Sequence, residues 1–77
     1  MQKQKRGDKM AFNLEYIKAR RQQLGITQGQ IAEVLNINTS AYNKCENGKQ
    51  RFTVDQLPIL AKVLFCKIKD FYVEVKA

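Results

Sequence analysis

The stretch Thr27-Gln-Gly-Gln-Ile-Ala-Glu-Val-Leu-Asn-Ile-Asn-Thr-Ser-Ala-Tyr-Asn-Lys-Cys-Glu-Asn-Gly48 decides the fold. Thr27 followed by Gln30 has the spacing of a capping box: the threonine oxygen accepts from the backbone of residue 30, and the glutamine side chain reaches back to the cap. Ile26 and Ile31 stand at the positions of a hydrophobic staple across that cap, so a helix is predicted to begin at Gln28. Ile31, Ala32 and Leu35 then share one apolar stripe, with Gln28, Gln30 and Glu33 on the polar side. Asn36 tolerates the left-handed backbone that ends a helix. Asn38 is a second N-cap, with Ile37 and Tyr42 as its staple, and a new helix is predicted from Thr39. So short a linker cannot fold two helices side by side. They must cross steeply, which is the helix-turn-helix arrangement.

In these residues the chain resembles the phage-repressor and Cro-like (Xre) family of DNA-binding domains, from about Leu14 to Phe71. Gln28 stands where the family places a phosphate-contacting Gln, and Ala32 where a small residue lets the two helices approach. Asn36 replaces the usual turn Gly, Tyr42 and Cys45 fill two core positions, and Glu46-Asn47-Gly48-Lys49 matches the characteristic ending. Each element alone is common; together and in register they are specific. The resemblance implies an all-α, compact five-helix, lambda-repressor-like domain with the helix-turn-helix at helices 2 and 3.

The other helices can be laid out around that motif. Asn13 can cap the first helix, with Phe12 and Ile17 as staple, and Leu14, Ile17, Arg21 and Leu24 share one face. Arg21 is the odd member of an apolar stripe. In the family an arginine at this place pairs with the glutamate that here is Glu46, which implies an ion pair between Arg21 and Glu46; the alternative is an arginine whose stem merely covers core surface. Gly25 ends the first helix. Thr53 and Gln56 form another capping box, opening a fourth helix with Val54, Leu57, Leu60, Ala61 and Leu64 on its core face. Pro58 removes an early backbone bond there. Lys67 to Tyr72 reads as a short fifth helix with Ile68 and Phe71 inward.

Composition points the same way. The chain has 77 residues, enough for a single small domain, and 14 Lys and Arg against 7 Asp and Glu give it a net charge of +7. That balance suits a polyanionic partner, and nucleic acid before membrane, because no segment approaches the roughly 18 consecutive apolar residues of a membrane span and none resembles a signal sequence. The 2 cysteines, Cys45 and Cys66, have no metal-ligand spacing and there is no histidine. Both are expected as buried reduced thiols, which with the missing leader points to the cytoplasm. Without histidine, a carboxylate pair in a cleft or a phosphate-cradling glycine loop, no catalytic residues, metal, cofactor or small-molecule ligand are expected.

Domain boundaries follow from charge and periodicity. Residues 1–10 carry Lys3, Lys5, Arg6 and Lys9 against Asp8 and read as a disordered basic arm, either solvated or lying along phosphates. Residues 11–72 form the helix-turn-helix domain. Residues 73–77 are a C-terminal tail whose pattern alternates as a strand does. Phe65 takes a place the family fills with Gly or Asn, where a bulky left-handed residue is strained. Phe65, Phe71, Tyr72 and the tail are predicted to form a homodimer surface, the tail either pairing as a strand with its mate or remaining a frayed terminus.

Helix geometry then assigns the expected contacts with double-stranded DNA. The second helix of such a motif lies in the major groove. Counting from the Asn38 cap, Thr39, Ser40, Asn43 and Lys44 face outward and are the base-reading candidates, while Gln28, Asn47, Lys49 and Arg51 are the phosphate candidates. The expected function is a sequence-specific transcriptional regulator, a repressor or autoregulator that binds a near-palindromic operator as a homodimer. The alternative is an antitoxin-type component whose main partner is a toxin protein.

Overall fold

The computed structural model describes residues 9–75. Along the chain run a strand β1 (Lys9–Phe12), four helices α1 (Leu14–Gln23), α2 (Gln28–Leu35), α3 (Thr39–Glu46) and α4 (Gln56–Val63), one turn of 3-10 helix (Ile68–Phe71), and a strand β2 (Tyr72–Val75). The fold is thus mostly helical with a small sheet, not all-α. The expected fifth helix is reduced to that single 3-10 turn.

The starts of α1, α2 and α3 are capped by side-chain hydrogen bonds, whereas Asp55 at the start of α4 makes none. Asn13 Oδ1 accepts from Tyr16 N at 3.2 Å, and Asn38 Oδ1 from Ala41 N at 2.7 Å. Thr27 and Gln30 close the reciprocal box at 3.0 and 2.9 Å. The Thr53 and Gln56 box closes as well, at 3.2 and 2.9 Å. Even so, α4 begins only at Gln56. Pro58 has no N–H to give the Val54 carbonyl, so the α-helical ladder cannot start earlier. This leaves Val54 80% exposed, outside the core face expected of it.

All four helices end in the same way. After α1, the Gly25 N–H donates to Gln22 O and Ile26 N–H to Arg21 O, each at 3.0 Å. This is the Schellman pattern, which turns the chain out through one left-handed residue. Asn36, Gly48 and Phe65 hold the equivalent places after α2, α3 and α4, with φ of 63°, 80° and 54°. Phe65 adopts it despite its bulk. Arg20 closes over this last end, its Nε donating to Leu64 O at 2.9 Å and Nη2 to Phe65 O at 3.4 Å. A cation at a helix C-terminus also complements the helix dipole.

The core is one cluster of Ile17, Ile31, Ala32, Leu35, Tyr42, Leu60, Ala61, Leu64 and Phe71. β1 and β2 pair antiparallel, with Phe12 opposite Tyr72 and Lys9 opposite Val75. Phe12 anchors the sheet to this core: its ring lies 5.8 Å from both Phe52 and Phe71 and edge-on to Tyr72 at 5.2 Å. The Asn13 N–H donates to Phe71 O at 2.6 Å, tying the end of β1 to the 3-10 turn.

Several boundaries move accordingly. The basic arm expected over residues 1–10 lies outside the described residues as far as residue 8, and Lys9 and Met10 belong to β1. The strand in the tail is present but pairs with β1 of its own chain. Phe71 is fully buried in the core and cannot line a dimer surface. Ile68, expected inward, is 39% exposed at the rim.

Candidate nucleic-acid interface

Geometry at the motif begins with the close approach of two helix starts. Ala32 is buried at the α2–α3 crossing, and a Cβ built on Gly29 would lie 3.5 Å from Thr39 Oγ1. The N-terminal ends of α2 and α3 therefore share one surface. Neither carries an acidic residue in its first turn, so both positive dipole ends are left uncompensated there.

On α3, Tyr42, Cys45 and Glu46 are buried while Thr39, Ser40, Asn43 and Lys44 are exposed. The split follows the helical period and the staple at Tyr42. Beyond the helix, Asn47, Lys49 and Arg51 are exposed too. Their loop folds back on the helix end: Lys49 N and Gln50 N both donate to Lys44 O, and Cys45 Sγ lies 3.9 Å from Arg51 O. Between Thr39 and Arg51 the sole carboxylate is Glu46, and it faces inward. The outward face is therefore cationic and amide-rich.

Beneath it lies a polar network centred on Glu46. Arg21 Nε donates to Glu46 Oε2 at 2.7 Å and Nη2 to Oε1 at 3.1 Å, a bidentate pair joining α1 to the end of α3. Arg21 Nη1 donates to Ile26 O at 2.9 Å, and Tyr42 Oη to Glu46 Oε2 at 2.7 Å. Among the described residues every buried side-chain nitrogen and oxygen has a hydrogen-bond partner. Burial pushes the Glu46 carboxyl upward, but the hydrogen bonds from Arg21, Tyr42 and Gln28 outweigh it and hold the group below the usual carboxylate range. The bond to Glu46 raises Arg21 in turn. Burial, then the bond to Glu46, raises the Tyr42 phenol. Desolvation alone raises the Cys45 thiol, which keeps it protonated and a poor nucleophile.

Gln28 departs from the simplest reading of its place. Its side chain points back into the protein, with Nε2 donating to Glu46 Oε1 at 2.9 Å and Oε1 accepting from Asn43 Nδ2 at 3.2 Å. Asn47 Nδ2 donates in turn to Asn43 Oδ1 at 3.1 Å. Sequence spacing placed Gln28 and Asn43 on one surface, but not in contact. Arg20, which covers the end of α4, was also missed, because its partners are backbone carbonyls 44 and 45 residues away.

Among the described residues no helix is long and apolar enough to cross a membrane, and no cluster of histidine, cysteine or carboxylate side chains could hold a metal ion. Two capped helices crossing at an Asn turn, with an exposed polar face on the second, define a helix-turn-helix domain. A family model described as Helix-turn-helix matches residues 17–71, and the chain belongs to that family, of the Cro/C1 or Xre-like type. It is a family of DNA-binding regulatory domains, not typically enzymatic. No curated protein compared with the chain matches it.

Proposed function

We propose that the chain is a sequence-specific regulator of transcription that binds double-stranded DNA, as a repressor or autoregulator, and that two copies read a near-palindromic operator. One observation carries this reading: the exposed face of α3 holds Thr39, Ser40, Asn43 and Lys44, and the nearby carboxylate is buried and neutralised. With α3 in the major groove, Lys44 suits guanine O6 and N7, Asn43 suits adenine N6 and N7, and the Thr39 methyl suits thymine. Asn47, Lys49 and Arg51 would meet phosphates alongside the groove. Since the Gln28 side chain is engaged inward, its phosphate contact falls to the backbone N–H at the open start of α2.

Dimerisation is supported by exposed apolar residues: Ile59 and Ile68, each 39% exposed, line one shallow groove, and Phe65 is 74% exposed. Tyr72 is half-buried against Phe12 and lines a separate groove with Phe52 and Leu57. Ile59, Phe65 and Ile68 are also what an antitoxin-type domain would offer a toxin protein. Selection of bound duplexes from a random pool tests the main reading. Enrichment of inverted half-sites about 34 Å apart is expected, and a pool that stays unenriched at low salt would overturn it in favour of a protein-directed role.

A further inference from the structure

An open groove of about 530 Å³ runs between the loop that follows α3 and the small sheet. Its walls come from β1, α1, α3, the loop after it, α4 and β2, so no sequence spacing announces it. Phe12, Phe52 and Tyr72 supply aromatic surface, with the Phe12 ring 5.8 Å from Phe52 and edge-on to Tyr72 at 5.2 Å. Leu14 and Leu57 supply aliphatic surface. The size is that of a small-molecule site, and the rings suit a planar aromatic guest, which gains from edge-on and offset contacts. Among the described residues that line it, Arg51 alone is charged. The nearby carboxylate, Glu46, is buried and engaged by Arg21. An apolar groove with a single guanidinium on its wall is complementary to an aromatic ring that carries one carboxylate, since arginine pairs with that group through two parallel N–H bonds.

We propose that this groove binds an aromatic monocarboxylic acid, and that the bound acid takes Arg51 away from the DNA backbone. The binding site stands on its lining alone, whereas its effect on DNA rests on the reading of Arg51 as a phosphate contact. The groove wall is continuous with the reading helix: Lys49 N and Gln50 N donate to Lys44 O, and Cys45 Sγ lies 3.9 Å from Arg51 O. A guanidinium paired with a bound carboxylate no longer neutralises a phosphate. The acid therefore weakens specific and unrelated DNA alike, lowers the number of ions released on binding, and leaves the base ranking set on α3 untouched. Linkage makes the effect reciprocal, so that DNA weakens the acid by the same factor.

Benzoate, phenylpropanoate and indole-acetate, each beside its neutral amide, are titrated into the isotope-labelled full chain and followed by nuclear magnetic resonance. The tightest acid is expected to shift the signals of Phe12, Arg51, Phe52 and Tyr72 and to bind about tenfold tighter than its amide, in line with a charge-assisted pair. Arg51→Gln, a change at an exposed position, should abolish that difference while the amide binds as before. Equal binding of acid and amide, shifts confined to the groove of Ile59 and Ile68, or no shift at millimolar acid would overturn the proposal. So would movement of the same signals on dilution alone, which would show a second copy seated in the groove. With unrelated duplex at matched ionic strength, saturating acid is expected to lower affinity about fivefold and the salt slope by about one, and the amide to do neither. If Arg51→Ala leaves the salt slope unchanged, the phosphate reading of Arg51 falls and the coupling with it, while the acid site stands on the resonance shifts. If Arg51→Ala lowers the slope and the bound acid does not, the coupling alone is overturned.

Discussion

Glu46 is the residue on which most of the motif's polar order depends. Its carboxylate takes hydrogen bonds from Arg21, Gln28 and Tyr42, so removing its charge strands an arginine that is itself nearly buried. Glu46→Gln is expected to destabilise the fold by about 3–5 kcal/mol, a large share of the stability of a domain this small, as measured by urea unfolding. Acid should act on the same group. Because the carboxyl is held below its unfolded value of about 4.3, the unfolded chain takes up the proton first, and stability present above that pH is lost as pH falls through the lower folded value. That acid limb should be shallower in Glu46→Gln, as read by unfolding at a series of pH values. Phe65 is the opposite case, a residue whose place costs stability. Its left-handed backbone is strained and its ring is largely exposed, so Phe65→Asn should raise monomer stability by about 1 kcal/mol in the same assay. The left-handed strain at Phe65 was legible by comparison with the family pattern. The engagement of Gln28 was not, since it depends on where another helix places Asn43.

Among the elements, α2 and α3 start and stop where their caps put them, because capping is local chemistry between residues three apart. Their exposed faces lead to separable roles. Lys44→Ala is expected to relax preference at one base step, costing about 1–3 kcal/mol of discrimination there, whereas Arg51→Ala should weaken every sequence alike and lower the salt slope by about one. Binding titrations on specific and unrelated duplexes at several salt concentrations separate the two outcomes. Elements whose existence depends on distant partners were read less well. Lys9 to Phe12 is too short to declare a strand, and becomes one because β2 lies alongside it and the Phe12 ring reaches Phe52 and Phe71. The 3-10 turn is similar: its length is set by the need to bury Phe71 and then run directly into β2.

For the whole molecule, the prediction concerns association of two copies. With Phe71 committed to the core and the tail strand paired to β1, the exposed residues Ile59, Phe65 and Ile68 are the surface proposed for a second copy. Sedimentation of the full chain is expected to give a dimer at tens of micromolar, and Phe65→Asn should shift it toward monomer while unfolding later. The opposite signs separate lost association from lost folding. Monomers for both chains would remove the dimer and with it the palindromic operator.

The sequence by itself determined the helix-turn-helix: its caps, turn residue and apolar stripe lie within a few residues of one another, and short-range hydrogen bonding and periodicity suffice to set them. It also marked the Arg21 and Glu46 pair through a family pattern. Only the tertiary structure decided the sheet, the tie between the 3-10 turn and the end of β1, and the inward turn of Gln28. Each of these joins residues far apart in the chain, so each depends on how the helices pack and not on any local preference. The face that would read DNA is set by the period of α3, and the buried Arg21–Glu46 pair ties the end of that helix to α1.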